Sequence, residues 1–348
     1  MSFYVAAIVI PSLGLGTLIT LISSHWLLAW MGLEISTLSM IPLMTKSRHP
    51  RAIEAAAKYF LTQASAGATL LFGAATNAWI TGQWAIEQTP HPIAAIIMTI
   101  ALAMKLGLAP LHTWLPEVLQ GLDFDTGLIL VTWQKLAPLG LLAQIPQDTP
   151  ALLTTLGLLS ILVGGLGGMN QTLVRKILGY SSISNIGWMA LAMHYSHPLV
   201  LLTLVTYIIM TCTIFMLFKE IEAKSIKCLA NAWARNPVFT ACIPLVLLSL
   251  AGLPPLTGFM PKWLIILKLC EHNLAFLATV AALSALLSLR FYLQLIYAMM
   301  TIMPSSATLG SKPWRLRNRM GSMTMGLGVS ASLFLTPLIP ILLVFLSP

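Results

Sequence analysis

Long apolar runs separated by short polar loops occupy almost the whole chain. The first run, FYVAAIVIPSLGLGTLITLI, contains no charged residue, and runs of similar character follow it to the end of the sequence. A bilayer core of about 30 Å is crossed by roughly 20 helical residues, so this pattern predicts transmembrane helices. We predict eleven spans, at residues 3–22, 26–45, 56–80, 93–119, 126–144, 151–169, 174–193, 199–218, 238–268, 274–299 and 323–346.

Two of these spans, 93–119 and 238–268, are too long for one straight crossing, and both contain internal proline and glycine. The first reads GLAPLHTWLP and the second GLPPLTGFMP, which match at five places with a constant offset of 145 residues (107 to 252). Proline cannot continue a helix without freeing a carbonyl, and freed backbone groups persist at membrane depth only beside protein or water. The residues predicted to break the helices are Gly107, Pro110, Gly252, Pro254, Pro255 and Gly258.

The same offset carries the first five predicted spans close to the next five. Because five is an odd number, the second copy would cross the membrane upside down. We therefore predict a repeat over 1–145, broken near 105–116, and an inverted copy over 146–300, broken near 250–262; a basic loop and the last span follow in 301–348. Inverted repeats around discontinuous helices are typical of transporters. A chance resemblance is the alternative, and the agreement of span positions argues against it.

Composition supports a polytopic, all-α membrane protein. The chain is 57% hydrophobic and 8% charged, with a mean hydropathy of +0.87, whereas soluble domains carry roughly 25% charged residues. The net charge of +9 does not indicate nucleic-acid binding, because the basic residues lie in loops between apolar runs.

The loop charges also predict an orientation. If the N-terminus faces side A, that side carries nearly all the basic loop residues and the other side carries mainly acids, which predicts side A as the cytoplasmic or matrix side. The side-A residues are Lys46, Arg48, Arg51, Arg175, Lys176, Lys219, Lys224, Lys227, Arg235, Lys312, Arg315, Arg317 and Arg319. The opposite loops carry Glu87, Asp148 and Glu271, with Lys268 at their edge.

Cysteine usage and the N-terminus narrow the function further. The four cysteines are scattered, with no CxxC pair, so neither an iron–sulfur cluster nor a zinc site is expected. The N-terminus lacks a basic leader and an arginine-rich transit segment, so we expect the first apolar run to be retained.

A few ionisable residues fall inside the predicted spans, mainly Glu34, Lys105, Lys135 and Lys262. A charge at the bilayer centre costs about 2.5–3.5 kcal/mol on insertion scales, so its presence needs a compensating reason. We interpret these four residues as a proton relay, because burial lowers the pKa of a lysine and a nearby cation lowers that of a carboxylate. The alternative is structural: a lysine snorkels or satisfies a carbonyl freed by a helix break.

Other polar residues near the spans carry weaker signals. His112 lies in the first break, where it caps exposed backbone or links the lysines to water, and Glu117 follows the break and is expected to terminate a half-helix. For Lys58, Lys268 and Arg290 the structural interpretation is favoured, because they lie nearer the span ends.

Four stretches carry a resemblance to a known family: GLAPLHTWLPEV, WQKLAPL, RKILGYSSISNIGWM and SLAGLPPLTGFMPKW. They resemble the antiporter-like membrane subunits of mitochondrial respiratory complex I (NADH–ubiquinone oxidoreductase), and among these the chain 2 family in its shortened animal form. The resemblance extends from Phe3 to the last span. It implies a proton-translocating subunit of the membrane arm, in the mitochondrial inner membrane, beside other membrane-arm subunits and lipids.

The resemblance also implies roles for particular residues. Glu34, Lys105, Lys135 and Lys262 correspond to the hydrophilic axis of the family, whereas flavin, iron–sulfur clusters and the quinone site belong to other subunits, so no cofactor is expected here. Asn185 departs from the pattern, since a histidine is common at this place; asparagine cannot titrate, although it can still orient a water.

Two other functions are compatible with the same sequence features. An Mrp-type cation/proton antiporter subunit would share the repeat and the lysines. A purely structural assembly subunit would keep the buried charges without moving protons.

Overall fold

The structure, a computed structural model, describes residues 3–146, 150–230, 232–234, 237–301 and 322–346. Within these ranges the chain is helical and forms no strand, only two isolated β-bridges. The helices are α1 (Phe3–Ile22), α2 (Trp26–Met44), α3 (Pro50–Thr81), α4 (Pro92–Leu106), α5 (Trp114–Gly121), α6 (Phe124–Thr132), α7 (Leu136–Gln144), α8 (Pro150–Gly168), α9 (Val174–Met193), α10 (His197–Ile221), α11 (Ile226–Ala230), α12 (Pro237–Ala251), α13 (Phe259–Glu271), α14 (Ala275–Thr301), α15 (Ser322–Phe334) and α16 (Ile339–Leu346). The all-α prediction is confirmed for the described chain.

Each predicted span coincides with one helix or with a pair of helices. Six segments among the described residues are long and apolar enough to cross a membrane: Tyr4–Ile22, Trp26–Ser47, Phe124–Gln144, Ala151–Gly168, His197–Ile221 and Ala275–Thr301. Shorter apolar helices occur at α4, at α12 and at Met323–Phe334. The basic loop around Lys312, Arg315, Arg317 and Arg319 lies outside the described residues, as do Asp148 and Arg235.

The chain forms two compact units, Met1–Leu159 and Ser160–Pro348. In the first unit α1 packs along α2, and α3 contacts α2, α4 and α5. The α1–α2 contact is close because glycines face each other. A Cβ on Gly16 would lie 2.8 Å from the carbonyl oxygen of Gly32, so neither position tolerates a side chain without a shift.

In the second unit α10 is the central helix and contacts α9, α12, α13 and α15. Gly164 of α8 lies against the backbone of α9, since a Cβ there would lie 2.8 Å from the amide nitrogen of Ser184. The last span also contacts the second helix break, because the Thr257 hydroxyl donates to the Ser332 carbonyl at 2.5 Å. That carbonyl is in the final turn of α15, where helical carbonyls lack intrahelical donors.

Two of the predicted spans are interrupted where we expected continuous helices. In the fifth span, a 3-10 turn at Trp133–Lys135 separates α6 from α7. Pro138 accounts for it, because proline has no N–H to donate to the carbonyl four residues earlier, in Gln134. In the last span, a 3-10 turn at Thr336–Leu338 with an internal proline separates α15 from α16. Both prolines are visible in the sequence, but neither interruption was predicted.

Candidate functional site

The first helix break begins with a glycine in the left-handed conformation. Gly107 follows α4 with φ of 77°, and its N–H bonds the carbonyls of Ala103 and Met104 at 3.0 and 3.2 Å. This conformation strongly favours glycine at a helix C-terminus. Two neutral side chains bind the neighbouring carbonyls: Trp114 Nε1 donates to Met104 at 3.1 Å, and Gln63 Nε2 donates to Lys105 at 3.5 Å.

Because neutral donors satisfy these carbonyls, the Lys105 ammonium is available for another partner. Its Nζ donates to Glu34 Oε1 at 3.2 Å, across 71 positions of sequence. The Lys105 side chain is 1% exposed and that of Glu34 is 23% exposed. The Thr37 hydroxyl donates to the Glu34 backbone carbonyl at 2.9 Å and also lies 3.3 Å from the other carboxylate oxygen. The structure thus brings together two of the four predicted relay residues as a buried ion pair.

Lys135 lies close to this pair. It is buried in the 3-10 turn between α6 and α7, and it lines a small cavity of about 10 Å³ together with Lys105. The polar residues that also line the cavity are Ser36, Thr37, Tyr59, Gln63 and Gln134. A volume near 10–15 Å³ suits about one water molecule, so the two lysines share a space in which a proton could be exchanged.

The second helix break has a different arrangement. Gly252 follows α12 with φ of 84°, and its N–H bonds the carbonyls of Leu248 and Ser249. Here the Lys262 ammonium itself binds the carbonyls at the end of α12, at 3.2 Å from Leu250 and 2.9 Å from Ala251. A cation at a helix C-terminus is favourable, so Lys262 has the contacts expected of the structural interpretation.

A cavity of about 30 Å³ adjoins Lys262. Its polar lining comes from Asn185, Thr203, Thr206, Tyr207 and Lys262. This volume exceeds what a single water needs, and the lining offers several hydrogen-bonding groups. Asn185 and Lys262 therefore line the same cavity, although they come from different helices.

The supporting residues occupy the break or the protein surface. His112 Nδ1 lies 3.2 Å from the Pro110 carbonyl oxygen, so this histidine contacts the exposed backbone of the break. Glu117 lies in the first turn of α5 and forms an exposed ion pair with Lys58 at 2.8 Å. Lys58 also pairs with Glu54, and Lys268 pairs with Glu271, both at exposed positions.

All the predicted helix-breaking residues lie in the two breaks. Pro110 follows a cis peptide bond, and Pro254 and Pro255 lie in the turn after Gly252. Gly258 precedes α13, where an added Cβ would collide with the Ser249 carbonyl oxygen. The glycine therefore permits close approach of two backbone segments.

Sequence reasoning missed three neutral side chains that bind backbone carbonyls near the breaks, namely Gln63, Trp114 and Thr257. Each is one polar side chain among many, and only the spatial contact distinguishes it. Within the described ranges, no group of three or more His, Cys, Asp or Glu residues could hold a metal ion.

An apolar helical fold with two glycine-capped breaks and buried lysines defines the class of antiporter-like membrane subunits. A model of the family described as "NADH:quinone oxidoreductase/Mrp antiporter, TM" matches residues 23–288. A chain of respiratory complex I from Thermus thermophilus superposes with a TM-score of 0.84 at 28% identity, covering 96% of this chain and 79% of that one.

Curated relatives define the family more narrowly than the fold does. NADH-ubiquinone oxidoreductase chain 2 of Tetraodon nigroviridis is 57% identical over 341 residues, 98% of each chain. The Salmo salar protein of the same name is 55% identical over 342 residues, again 98% of each chain. The chain therefore belongs to the NADH-ubiquinone oxidoreductase chain 2 family, which confirms the resemblance seen in the sequence.

Proposed function

We propose that this chain is a membrane-arm subunit of respiratory complex I and contributes to proton translocation coupled to electron transfer from NADH to ubiquinone. The observation that carries the proposal is the buried Glu34–Lys105 pair beside Lys135. Family membership supports the assignment to the complex. The chain contributes no redox step of its own; flavin, iron–sulfur clusters and the quinone site reside in other subunits.

The pair works as a charge switch. With Lys105 protonated, its ammonium neutralises Glu34 across 3.2 Å. When the pair separates, the buried ammonium loses its compensating charge and releases its proton to the cavity that Lys105 shares with Lys135. Lys135 then holds the proton as the central relay, and Lys262 acts in the second unit on the path toward a neighbouring subunit or the opposite side of the membrane.

The energy for this cycle comes from partner subunits. Moving one charge against 100 mV requires about 2.3 kcal/mol, and the switch only stores and releases charge. The partners are therefore the other membrane-arm subunits, including neighbouring antiporter-like ones, with membrane lipids around the apolar surface.

We place the chain in the mitochondrial inner membrane with its N-terminus and basic loops on the matrix side, as the loop charges predict. The inverted repeat of 1–145 and 146–300 is part of the same proposal.

The decisive experiment is Lys135→Met in the assembled complex, reconstituted into vesicles. We expect assembly and NADH–ubiquinone turnover to persist while the proton-to-electron ratio falls. Lys58→Met is the matched control, because Lys58 is in an exposed pair and its loss should leave the ratio unchanged. An unchanged ratio in Lys135→Met would favour the purely structural role.

The family model also includes Mrp antiporters, so cation/proton exchange is the second candidate. Reconstitution of the isolated chain distinguishes it. Sodium- or potassium-driven proton movement without NADH or quinone would support the antiporter, whereas our proposal expects none, because the chain then lacks its energy source.

A further inference from the structure

Trp30 lies one helical turn before Glu34 on α2, and the two side chains share a face. Side chains of a helix tilt toward its N-terminus, so the Glu34 carboxylate leans over the turn that carries Trp30. The Trp30 Nε1 atom is buried and has no hydrogen-bond partner among the residues that the structure describes. Buried donors are nearly always paired, so this indole N–H has the capacity to bind one further acceptor.

Gly67 of α3 contacts both groups. A Cβ added to Gly67 would overlap Glu34 Oε1, and it would lie 3.0 Å from Glu34 Cδ and 3.5 Å from Trp30 Nε1. The carboxylate and the indole N–H therefore lie side by side against bare backbone. No side chain larger than hydrogen fits at this position of α3 without displacing Glu34.

We propose that the indole N–H of Trp30 provides a second position for the Glu34 carboxylate, occupied when Lys105 leaves the ion pair; this rests on the proposed proton-relay function. The carboxylate turns away from the Lys105 amine and accepts a hydrogen bond from the indole N–H, across the gap at Gly67. Lys105 gives its proton to the cavity it shares with Lys135, while Glu34 remains ionised throughout. Trp30 is thus a positioning residue for the switch.

The chemistry of the indole suits this role. Its nitrogen donates but cannot accept, so it stabilises a carboxylate and cannot take the proton in transit. Hydrogen bonds to an ionised acceptor are shorter and stronger than neutral ones. Lys105 is the donor to the same carboxylate in the paired position, where the Thr37 hydroxyl is shared between the Glu34 backbone carbonyl and the carboxylate. Glu34 would therefore have a donor in both positions.

The test is infrared difference spectroscopy of the assembled complex in vesicles, triggered by NADH. The band of the Glu34 carboxylate is identified by its loss in Glu34→Gln. We expect Trp30→Phe to shift or abolish this band and to lower the proton-to-electron ratio while NADH–ubiquinone turnover persists. Trp30→His, which keeps a ring N–H, should restore both in part. Trp79→Phe, at a side chain 92% exposed on α3, is the control and should change neither.

Gly67→Ala provides an independent arm. Its methyl group would occupy the place that Glu34 Oε1 has in the ion pair, so it should leave the carboxylate only the position at Trp30 and change the Glu34 band. Gly14→Ala is its control, since a Cβ there meets nothing within 4 Å. An unaltered Glu34 band in Trp30→Phe would overturn the inference. If that variant does not assemble, an unaltered Glu34 band in Gly67→Ala would overturn it instead. The proposed function fails separately, when Glu34→Gln changes neither the spectrum nor the proton-to-electron ratio.

Discussion

Replacing Glu34 by glutamine tests the buried ion pair directly. The substitution would leave the Lys105 ammonium, whose side chain is 1% exposed, without its carboxylate. At 3.2 Å and an effective dielectric constant of about 20, the Coulomb attraction that is lost is about 5 kcal/mol. Measured losses on removing one partner of a buried pair are about 3–5 kcal/mol, in agreement with that figure.

The lysine can limit this loss by giving up its proton. For an ordinary lysine pKa of about 10.4, neutralisation at pH 7 costs about 4.6 kcal/mol. Both routes therefore lead to a loss of about 4–5 kcal/mol for Glu34→Gln. We expect a smaller loss of about 1–3 kcal/mol for Lys105→Met, because the remaining carboxylate is partly exposed and keeps the Thr37 hydroxyl.

The assay is a double-mutant cycle on the thermal unfolding midpoint of the solubilised complex. For a unit of about 150–250 residues, 1 kcal/mol corresponds to roughly 2–4 °C, so Glu34→Gln should lower the midpoint by about 8–20 °C. The double variant should be more stable than the sum of the single losses predicts, by about 2 kcal/mol or more, because no charge is left unpaired.

A matched control is Glu117→Gln, which removes an ion pair of 2.8 Å between side chains that are 44% and 51% exposed. Solvent screens this pair, so its loss should leave the midpoint unchanged. Single losses for Glu34 and Lys105 that add within about 0.5 kcal/mol would refute the reasoning, since independent residues behave in that way.

Three further predictions concern the second unit. Gly252→Ala should destabilise the second break by about 1–2 kcal/mol in a thermal melt, because φ is 84° and the added Cβ would lie 3.2 Å from Lys262 Nζ; an unchanged midpoint would contradict the required left-handed conformation. Asn185→His should make the proton-to-electron ratio vary with pH between about 5 and 8, because histidine titrates in this range; a flat profile would show that Asn185 lies off the path. Thr257→Val should lower the free energy of local unfolding of the last span by about 1–3 kcal/mol, because the Ser332 carbonyl loses its donor. The measurement is amide hydrogen exchange, which should become faster in α15; unaltered exchange would count against this contact.

How much of the fold can be predicted depends on how far apart in the sequence the interacting residues lie. Helices and their breaks depend on local properties, namely apolar runs of spanning length and the proline and glycine between them. Gly107 and Gly252 were predicted as break points on this basis, and both occupy left-handed caps. The turn at Trp133–Lys135 was not predicted, although the effect of Pro138 is equally local.

The sequence by itself determined that this protein is an all-helical membrane subunit with buried charges, because hydrophobicity and backbone chemistry act within a few residues. Only the tertiary structure decided how each charge is compensated. Lys105 meets a glutamate 71 positions away, whereas Lys262 binds carbonyls of the preceding half-helix. Electrostatic and hydrogen-bond energies depend on distances of a few ångströms between atoms remote in the chain, and such distances are set by helix packing.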